Sequence, residues 1–334
     1  SSIIAFEMPK KDFGAFMICA SHTDSPSFKL KPDFEINADG CIKLSVEGYG
    51  GMIMSSWLDR PLSISGRIVT AKDGKIETKL VNIDRDLLVI PSLAIHMSRD
   101  INKGYEFNIR RDMCPIASEK NGRIEDIIAE SVGVDKEKIL GFDLSLYNRM
   151  HGTVLGADGE YFSAPRIDDL QCMYSTLEGF LNSESDDNVT VFAAFDNEEV
   201  GSGTKQGAKS SFLRDVLERI CNNSETYKRA VAKSFMLSCD NAHAVHPNFA
   251  DKSDGTNRVY MNGGIVIKYN ANQRYTTDAV SEAVVKYVCK NAGVPYQMYA
   301  NRSDIPGGST LGNLSNEKVS LNTADIGLAQ LAMH

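Results

Sequence analysis

Short apolar runs that end in polar, chemistry-bearing residues punctuate this chain. Residues 13–20 (FGAFMICA) are too few for a typical helix and lie between prolines and a glycine, so they predict a buried strand running into Ser21-His22-Thr23-Asp24. Val189 to Phe195 repeats the design before Asp196-Asn197-Glu198-Glu199, and Ser234 to Ser238 does so before Cys239-Asp240. Ile265 to Lys268 and Val319 to Asn322 read as further strands. Helical spacing separates them. Leu170, Met173, Tyr174, Leu177, Phe180 and Leu181 recur every three or four residues, and a helix capped by Thr277 and ended by Gly293 carries the stripe Val280, Ala283, Val284, Tyr287 and Val288. This alternation predicts an α/β fold with a mostly parallel sheet flanked by helices.

Between His22 and Asp168 the texture is different. Three Asp-Gly pairs, at 39–40, 73–74 and 158–159, punctuate β-rich sequence, and Arg67 to Lys72 with Lys75 to Val81 flank the second as alternating strands of a hairpin. At 334 residues the chain exceeds the usual size of one core. The expected organisation is therefore a catalytic α/β domain over residues 1–26 and 164–334, interrupted by a β-rich domain over 27–163.

Composition narrows the partners. A formal charge of −8 with no Lys/Arg run beyond two or three residues argues against nucleic acid or an anionic membrane as main partner, and no apolar stretch reaches the length of a membrane span. Seven cysteines without a CxxC pair fit reduced core thiols in a cytoplasmic setting. The chain opens at Ser1 rather than Met and stops at a candidate ligand, as a piece of a longer polypeptide would. That leaves a targeting segment, for example to a vacuole, an open alternative.

Five candidate metal ligands follow the apparent strand ends in chain order: His22, Asp168, Glu199, Asp240 and His334. In open α/β sheets ligands collect beyond the carboxyl ends of strands. Two divalent ions about 3.5–4 Å apart can share a hydroxide and polarise a carbonyl, which is what amide hydrolysis requires. Asp168 is placed to bridge the ions, because it follows the insertion and opens a helix whose N-terminal dipole tolerates a carboxylate. His22 and Asp240 would complete one ion, Glu199 and His334 the other. The mixed His/carboxylate set suits zinc, with cobalt or manganese as chemically compatible alternatives.

Glu198 and Glu199 leave a strand end in succession with diverging side chains, so one binds metal and the other is free to move protons. Glu198 is the expected general base, taking a proton from water and returning it to the leaving amine. Asp24 is expected to accept the second imidazole N–H of His22 and fix its tautomer. Taken singly, a Glu-Glu pair is normally a solvated surface pair and a His or Asp at a strand end a local cap. Their joint occurrence at successive strand ends carries the reading. By contrast, Gly201-Ser202-Gly203 with Gly207 misses the dinucleotide fingerprint by one residue, and the two preceding Glu would repel phosphate. Gly307-Gly308-Ser309-Thr310 lacks the lysine of a phosphate loop and is read as a glycine turn offering backbone N–H groups, at Gly308 and Ser309, to substrate.

The assembled chain resembles the aspartyl aminopeptidase family of cocatalytic zinc peptidases, which includes vacuolar relatives, from its first residues to its last. The matching segments include Ser21-His22-Thr23-Asp24-Ser25-Pro26, Trp57-Leu58-Asp59-Arg60, Ala94-Ile95-His96, Ala164-Pro165-Arg166-Ile167-Asp168 and Asp196-Asn197-Glu198-Glu199-Val200-Gly201-Ser202. Further along are Asp240-Asn241-Ala242-His243, Asn272-Gln273-Arg274-Tyr275 and Gln330-Leu331-Ala332-Met333-His334. The resemblance implies the same ligands and base. It also implies that the β insertion is a dimerisation domain, that dimers build a tetrahedral homododecamer, and that His96 reaches a neighbouring subunit's active site to stabilise the oxyanion. Lys268, His243 and Tyr275 are implied on the substrate side, Lys268 near an acidic side chain. The implied activity is removal of N-terminal Asp or Glu from peptides. Pro61 stands where the family commonly has an acidic residue, and Ile305-Pro306-Gly307-Gly308-Ser309 lacks a cysteine found in many relatives. Neutral or apolar N-terminal specificity, a dipeptidase or deacylase, and a non-enzymatic assembly or cargo scaffold are the alternatives.

Overall fold

The computed structural model describes residues 2–119 and 122–334. The chain divides into two compact units, residues 1–25 with 166–333, and residues 26–165 with His334. No helix among the described residues is long and apolar enough to cross a membrane.

The first unit is built on a seven-stranded sheet in the order Ile3–Glu7, Asn188–Phe195, Ala15–His22, Phe235–Cys239, Asn322–Gly327, Ile265–Tyr269, Tyr296–Ala300. Four of its neighbouring pairs run parallel among the described residues, and two, at the first edge and between Ile265–Tyr269 and Asn322–Gly327, run antiparallel. The expected mostly parallel sheet is present. Its central strands are apolar on both faces because helices cover them, and Phe16, Ile18, Val189, Val191, Phe195 and Met236 form the core. The last expected strand starts later than its apolar run suggests. Val319 and Leu321 are buried as loop residues, and the strand begins at Asn322.

Both predicted helices exist, Ile167–Leu181 and Ala279–Ala292, but the faces they bury differ from the apolar stripes. The first buries Cys172 and Thr176 and leaves Tyr174 and Leu181 exposed. In the second, Ser281, Val285 and Cys289 face inward while Val280, Val284, Tyr287 and Val288 lie on the surface. Its N-cap also moves by one residue. Asp278 accepts from the N–H groups of Val280 and Ser281 and closes a capping box, a stronger arrangement than a lone threonine. Thr277 is instead buried, its hydroxyl accepting from Asp325 N–H at 2.9 Å. Gly293 ends the helix in the left-handed conformation, as its position predicts.

The second unit is a six-stranded sheet in the order Lys75–Asn82, Leu62–Lys72, Ile139–Asn148, Ser27–Ala38, Cys41–Tyr49, Ile116–Ser118. Its pairs are antiparallel. Asp73 and Gly74 both take positive φ, 50° and 74°, which closes the predicted hairpin in the hand that matches strand twist. One face packs a core around Phe28, Leu44, Ile64, Ile68, Leu144 and Leu146. All seven cysteines are free thiols, in line with the absence of a disulfide framework in the sequence.

Candidate metal centre

Strand register does the first part of the assembly. His22 ends Ala15–His22 opposite Phe195, its partner on the neighbouring parallel strand. On the other side Ser238 pairs with Ala20, so the chain two residues further on brings Asp240 level with His22. Asp240 N–H donates to Ile326 O at 3.0 Å, which fixes where the backbone leaves the strand. Beyond Phe195, Asn197 takes a left-handed φ of 62°, and its side-chain oxygen accepts from Thr204 and Gln206, both at 2.8 Å. That bend starts a short helical turn at Glu198–Val200.

Asp24 locks this turn to the first strand. Its two carboxylate oxygens accept from Glu198 N–H and Glu199 N–H, each at 3.1 Å, as a cap does at the start of a helix. The same residue orients His22, although its backbone oxygen, 3.1 Å from Nδ1, lies closer than its carboxylate at 3.4 Å. The imidazole therefore presents Nε2 to the remaining carboxylates.

The third contribution arrives after the inserted unit. Asp168 sits at the entry to Ile167–Leu181, but its φ/ψ of −82°/112° is extended, so the helical turn starts after it rather than on it. The segment is tied down from three directions. Ser25 Oγ donates to Asp168 O at 2.9 Å, Asn241 Nδ2 donates to Ile167 O at 2.9 Å, and Gln330 Nε2 donates to Asp168 Oδ2 at 3.3 Å. The Asp168–Asp169 peptide is cis. Asp168 Oδ1 then lies 3.2 Å from His22 Nε2 and Asp240 Oδ1 lies 3.9 Å from it.

Two groups of ligand atoms result, each within 4.8 Å: His22 with Asp168 and Glu199, and His22 with Asp169 and Asp240. Four of the five sequence candidates thus come together, three carboxylates around the buried imidazole of His22. His334 falls in neither group among the described residues. It clusters with the inserted unit, where its carbonyl accepts from Ile53 N–H at 3.0 Å. Asp169 is the residue the sequence reading missed. It is fully buried, its Oδ2 accepts His22 N–H at 3.3 Å, and its Oδ1 is buried with no hydrogen-bond partner. Its adjacency to Asp168, itself a candidate ligand, was the available signal.

The electrostatics favour a cation. Burial pushes Asp169 well above the carboxylate range, reinforced by the charge of Asp240. Asp240 is raised by burial too, partly offset by Lys268, and burial together with Asp240 pushes Glu198 up to about 8. Burial alone would lower His22, yet hydrogen bonds from its ring to Asp168 and Asp24 hold it well above an ordinary histidine. Protons are thus held where positive charge is in short supply. An uncompensated carboxylate oxygen beside a buried imidazole and four further carboxylates is an arrangement that a divalent ion stabilises, and the oxygen/nitrogen donor set fits zinc.

Lys268 is buried on Ile265–Tyr269, 3.6 Å from Asp240 Oδ2 and 5.5 Å from the centre of the Tyr275 ring. Burial would lower its pKa, but Asp240 and Tyr275 raise it above the ordinary value. Tyr275 packs edge-on against Tyr299 with ring centres 6.3 Å apart. His243 is exposed in a two-residue strand paired with Ala329–Gln330. In the glycine turn Gly308 is exposed, and Ser309 Oγ bonds the Asn313 side chain at 2.7–3.0 Å. In the inserted unit His96 is exposed in a turn at residues 95–97.

A family model for the aminopeptidase I zinc metalloproteases (M18) matches residues 1–334. The chain belongs to the M18 family. It is 46% identical over 332 residues to a probable M18 family aminopeptidase 2 of Clostridium acetobutylicum, covering 96% of this chain and 77% of that protein. A namesake from Pseudomonas savastanoi is 36% identical over 344 residues, covering the whole of this chain and 80% of that protein. Among solved structures, a chain in the cryo-EM structure of the Ape4 and Nbr1 complex superposes with a TM-score of 0.95 at 36% identity, covering 100% of this chain and 70% of that one. The structure of the Saccharomyces mApe1 dodecamer matches at 0.84 and 27% identity, covering 100% and 78%. M18 membership makes this chain a zinc metalloaminopeptidase with the α/β architecture of that family, and its buried cluster of His, Asp and Glu side chains is the metal-binding cluster such an enzyme requires.

Proposed function

We propose that this M18 chain removes N-terminal residues from peptides at a dinuclear zinc centre, with Glu198 as general base. The observation that carries the reading is the convergence of two ligand groups on His22, with Glu198 beside them and its carboxyl raised to about 8 by burial and by Asp240. His22, Asp168, Glu199, Asp240 and His334 would hold the metal, with Asp169 adding a buried carboxylate next to Asp168. Two zinc ions held there would supply Lewis acidity to polarise a scissile carbonyl and lower the pKa of water. Glu198 takes the proton from the attacking water and passes it to the departing amine. With cations bound beside it, the Glu198 carboxyl would ionise more readily and so serve as a base. Asp24 keeps Glu198 and Glu199 in step by holding both N–H groups.

On the substrate side, Tyr275 and the turn at Gly308 and Ser309 are the proposed walls, with His243 nearby and Lys268 meeting an acidic side chain. A second reading keeps the mechanism but assigns a neutral or apolar N-terminal preference. It is favoured by the burial of Lys268 against Asp240, which already uses its charge. Homo-oligomerisation is supported by the mApe1 dodecamer among the structural relatives; assembly through the inserted unit into a tetrahedral dodecamer, with His96 acting in a neighbouring subunit, is proposed with it. Light scattering paired with turnover tests it, and an active monomer would remove the role of His96.

The decisive experiment is hydrolysis of Asp-, Glu-, Leu- and Lys-amide reporters, free and N-acetylated, by the zinc-loaded parent and Glu198→Gln. The parent is expected to cleave only free amines, and the variant to lose turnover by at least about a hundredfold with zinc content unchanged. Cleavage of acetylated reporters would replace the aminopeptidase with a deacylase. Full activity in the variant would remove Glu198 as base. The ranking of Asp and Glu against Leu and Lys separates the two specificity readings.

A further inference from the structure

We propose that Asp325 is a positioning residue that clamps together the two loops proposed to flank the substrate's N-terminal residue. Asp325 lies on Asn322–Gly327, is fully buried, and serves none of the proposed catalytic roles. Its carboxylate takes three hydrogen bonds from two separate loops. Oδ2 accepts from Thr276 N–H at 2.5 Å and from Thr276 Oγ1 at 2.7 Å, while Oδ1 accepts from Thr310 Oγ1 at 2.6 Å. Thr276 directly follows Tyr275 and Thr310 directly follows Ser309. A fourth bond, from Asp325 N–H to Thr277 Oγ1, fixes the carboxylate's own backbone to the first of these loops.

The spacing around this carboxylate is tight. A Cβ at Gly312 would come within 2.7 Å of Thr276 Oγ1 and 3.0 Å of both Asp325 Oδ2 and Ser238 Cβ, so only a glycine at 312 leaves the Thr276–Asp325 contact undisturbed. A charged acceptor satisfied by three donors in a buried site makes short, directional bonds that hold their donors in place. One side chain on a rigid central strand therefore sets the distance between Tyr275 and the Gly308–Ser309 turn. That distance governs which N-terminal side chains fit. This inference rests on the proposed location of the substrate between these loops.

The test uses the zinc-loaded full chain with Asp325→Asn, Thr310→Val and Thr310→Ser. An asparagine offers one acceptor oxygen where the carboxylate offers two, and the valine removes one donor while leaving the charge intact. Hydrogen exchange over residues 270–277 and 305–311 is expected to accelerate in Asp325→Asn and Thr310→Val. KM for the preferred reporter should rise roughly tenfold, the scale of losing one hydrogen bond to a charged group, with kcat little changed. The spread of kcat/KM across Asp, Glu, Leu and Lys reporters should narrow, and Thr310→Ser, which keeps the hydroxyl, should recover the parental values. Unchanged exchange in both loops would overturn the clamp. Accelerated exchange with parental KM and selectivity would overturn its role in positioning, and so would a fall in zinc affinity, read by chelator competition, that tracks the loss of activity. A parent inactive on every free-amine reporter would count against the aminopeptidase reading instead, and the exchange data would still decide the clamp.

Discussion

Glu198 offers a direct physical check on the site, made without substrate. In the metal-free protein its carboxyl is pushed from 4.5 up to about 8 by burial and by neighbouring carboxylates, Asp240 foremost. A carboxylic acid whose folded-state pKa is raised binds its proton more tightly in the folded than in the unfolded chain. Its contribution to stability is therefore fully present below about 4.5 and is lost as pH rises to about 8. At about 1.36 kcal/mol per pH unit the displacement amounts to about 5 kcal/mol, an upper bound because nearby carboxylates titrate with it. Glu198→Gln places a neutral amide at the same position at every pH. His22, Asp169 and Asp240 are all raised as well and tilt both proteins the same way, so the difference between parent and variant isolates Glu198. Urea melts of chelator-stripped protein at pH 5, 6.5 and 8 should show the parent losing a few kcal/mol more than the variant across that range. Added zinc, which displaces those protons, should restore more stability at pH 8 than at pH 6. Equal pH slopes in parent and variant would refute the claim that Glu198 is held protonated by a buried, cation-hungry site.

Two further changes probe the scaffold. Asp24→Ala removes the acceptor shared by the Glu198 and Glu199 N–H groups and a partner of His22, and should weaken zinc binding by about ten- to a hundredfold in chelator competition while the fold persists by circular dichroism. Gly66→Ala should destabilise the inserted unit by roughly 2–4 kcal/mol in denaturant, because Gly66 has φ of 144° and a Cβ there would lie 2.0 Å from Asp143 O; a loss under about 0.5 kcal/mol would contradict that geometry.

What the sequence made legible was whatever the period of a buried parallel strand controls. Such a strand is apolar on both faces, so its end is marked by the first run of polar residues, and His22, Glu199 and Asp240 stand at those marks. Neighbouring parallel strands then bring their ends together without further instruction. The Asp-Gly turns at 39–40 and 73–74 were legible for a local reason, since left-handed φ at both positions is costly for most other residues. Helix faces were less so. A three-four spacing of apolar residues finds the helix, but small side chains such as Cys172, Thr176, Ser281 and Cys289 can sit against the sheet as readily as large ones, and here they do. Hydropathy ranks size and apolarity together, whereas close packing of a helix on a sheet rewards smallness.

The same distinction explains why Asp169 and Asp325 escaped notice while their neighbours did not. Both are buried carboxylates whose place is set by contacts between segments far apart in the chain: Asp169 by the main-chain N–H of His22, Asp325 by Thr276 and Thr310. No local spacing encodes such a meeting. A buried carboxylate must nonetheless be compensated, and the compensation found for each indicates its work. Asp325 is fully supplied with hydroxyl and amide donors, so it holds protein to protein. Asp169 keeps a buried oxygen that meets no well-aligned donor next to His22 and Asp240, where a cation would be stabilised. Asp169→Asn should accordingly cost zinc affinity, whereas Asp325→Asn should leave zinc affinity intact and cost selectivity; the opposite pattern would show that the two carboxylates had been assigned the wrong way round.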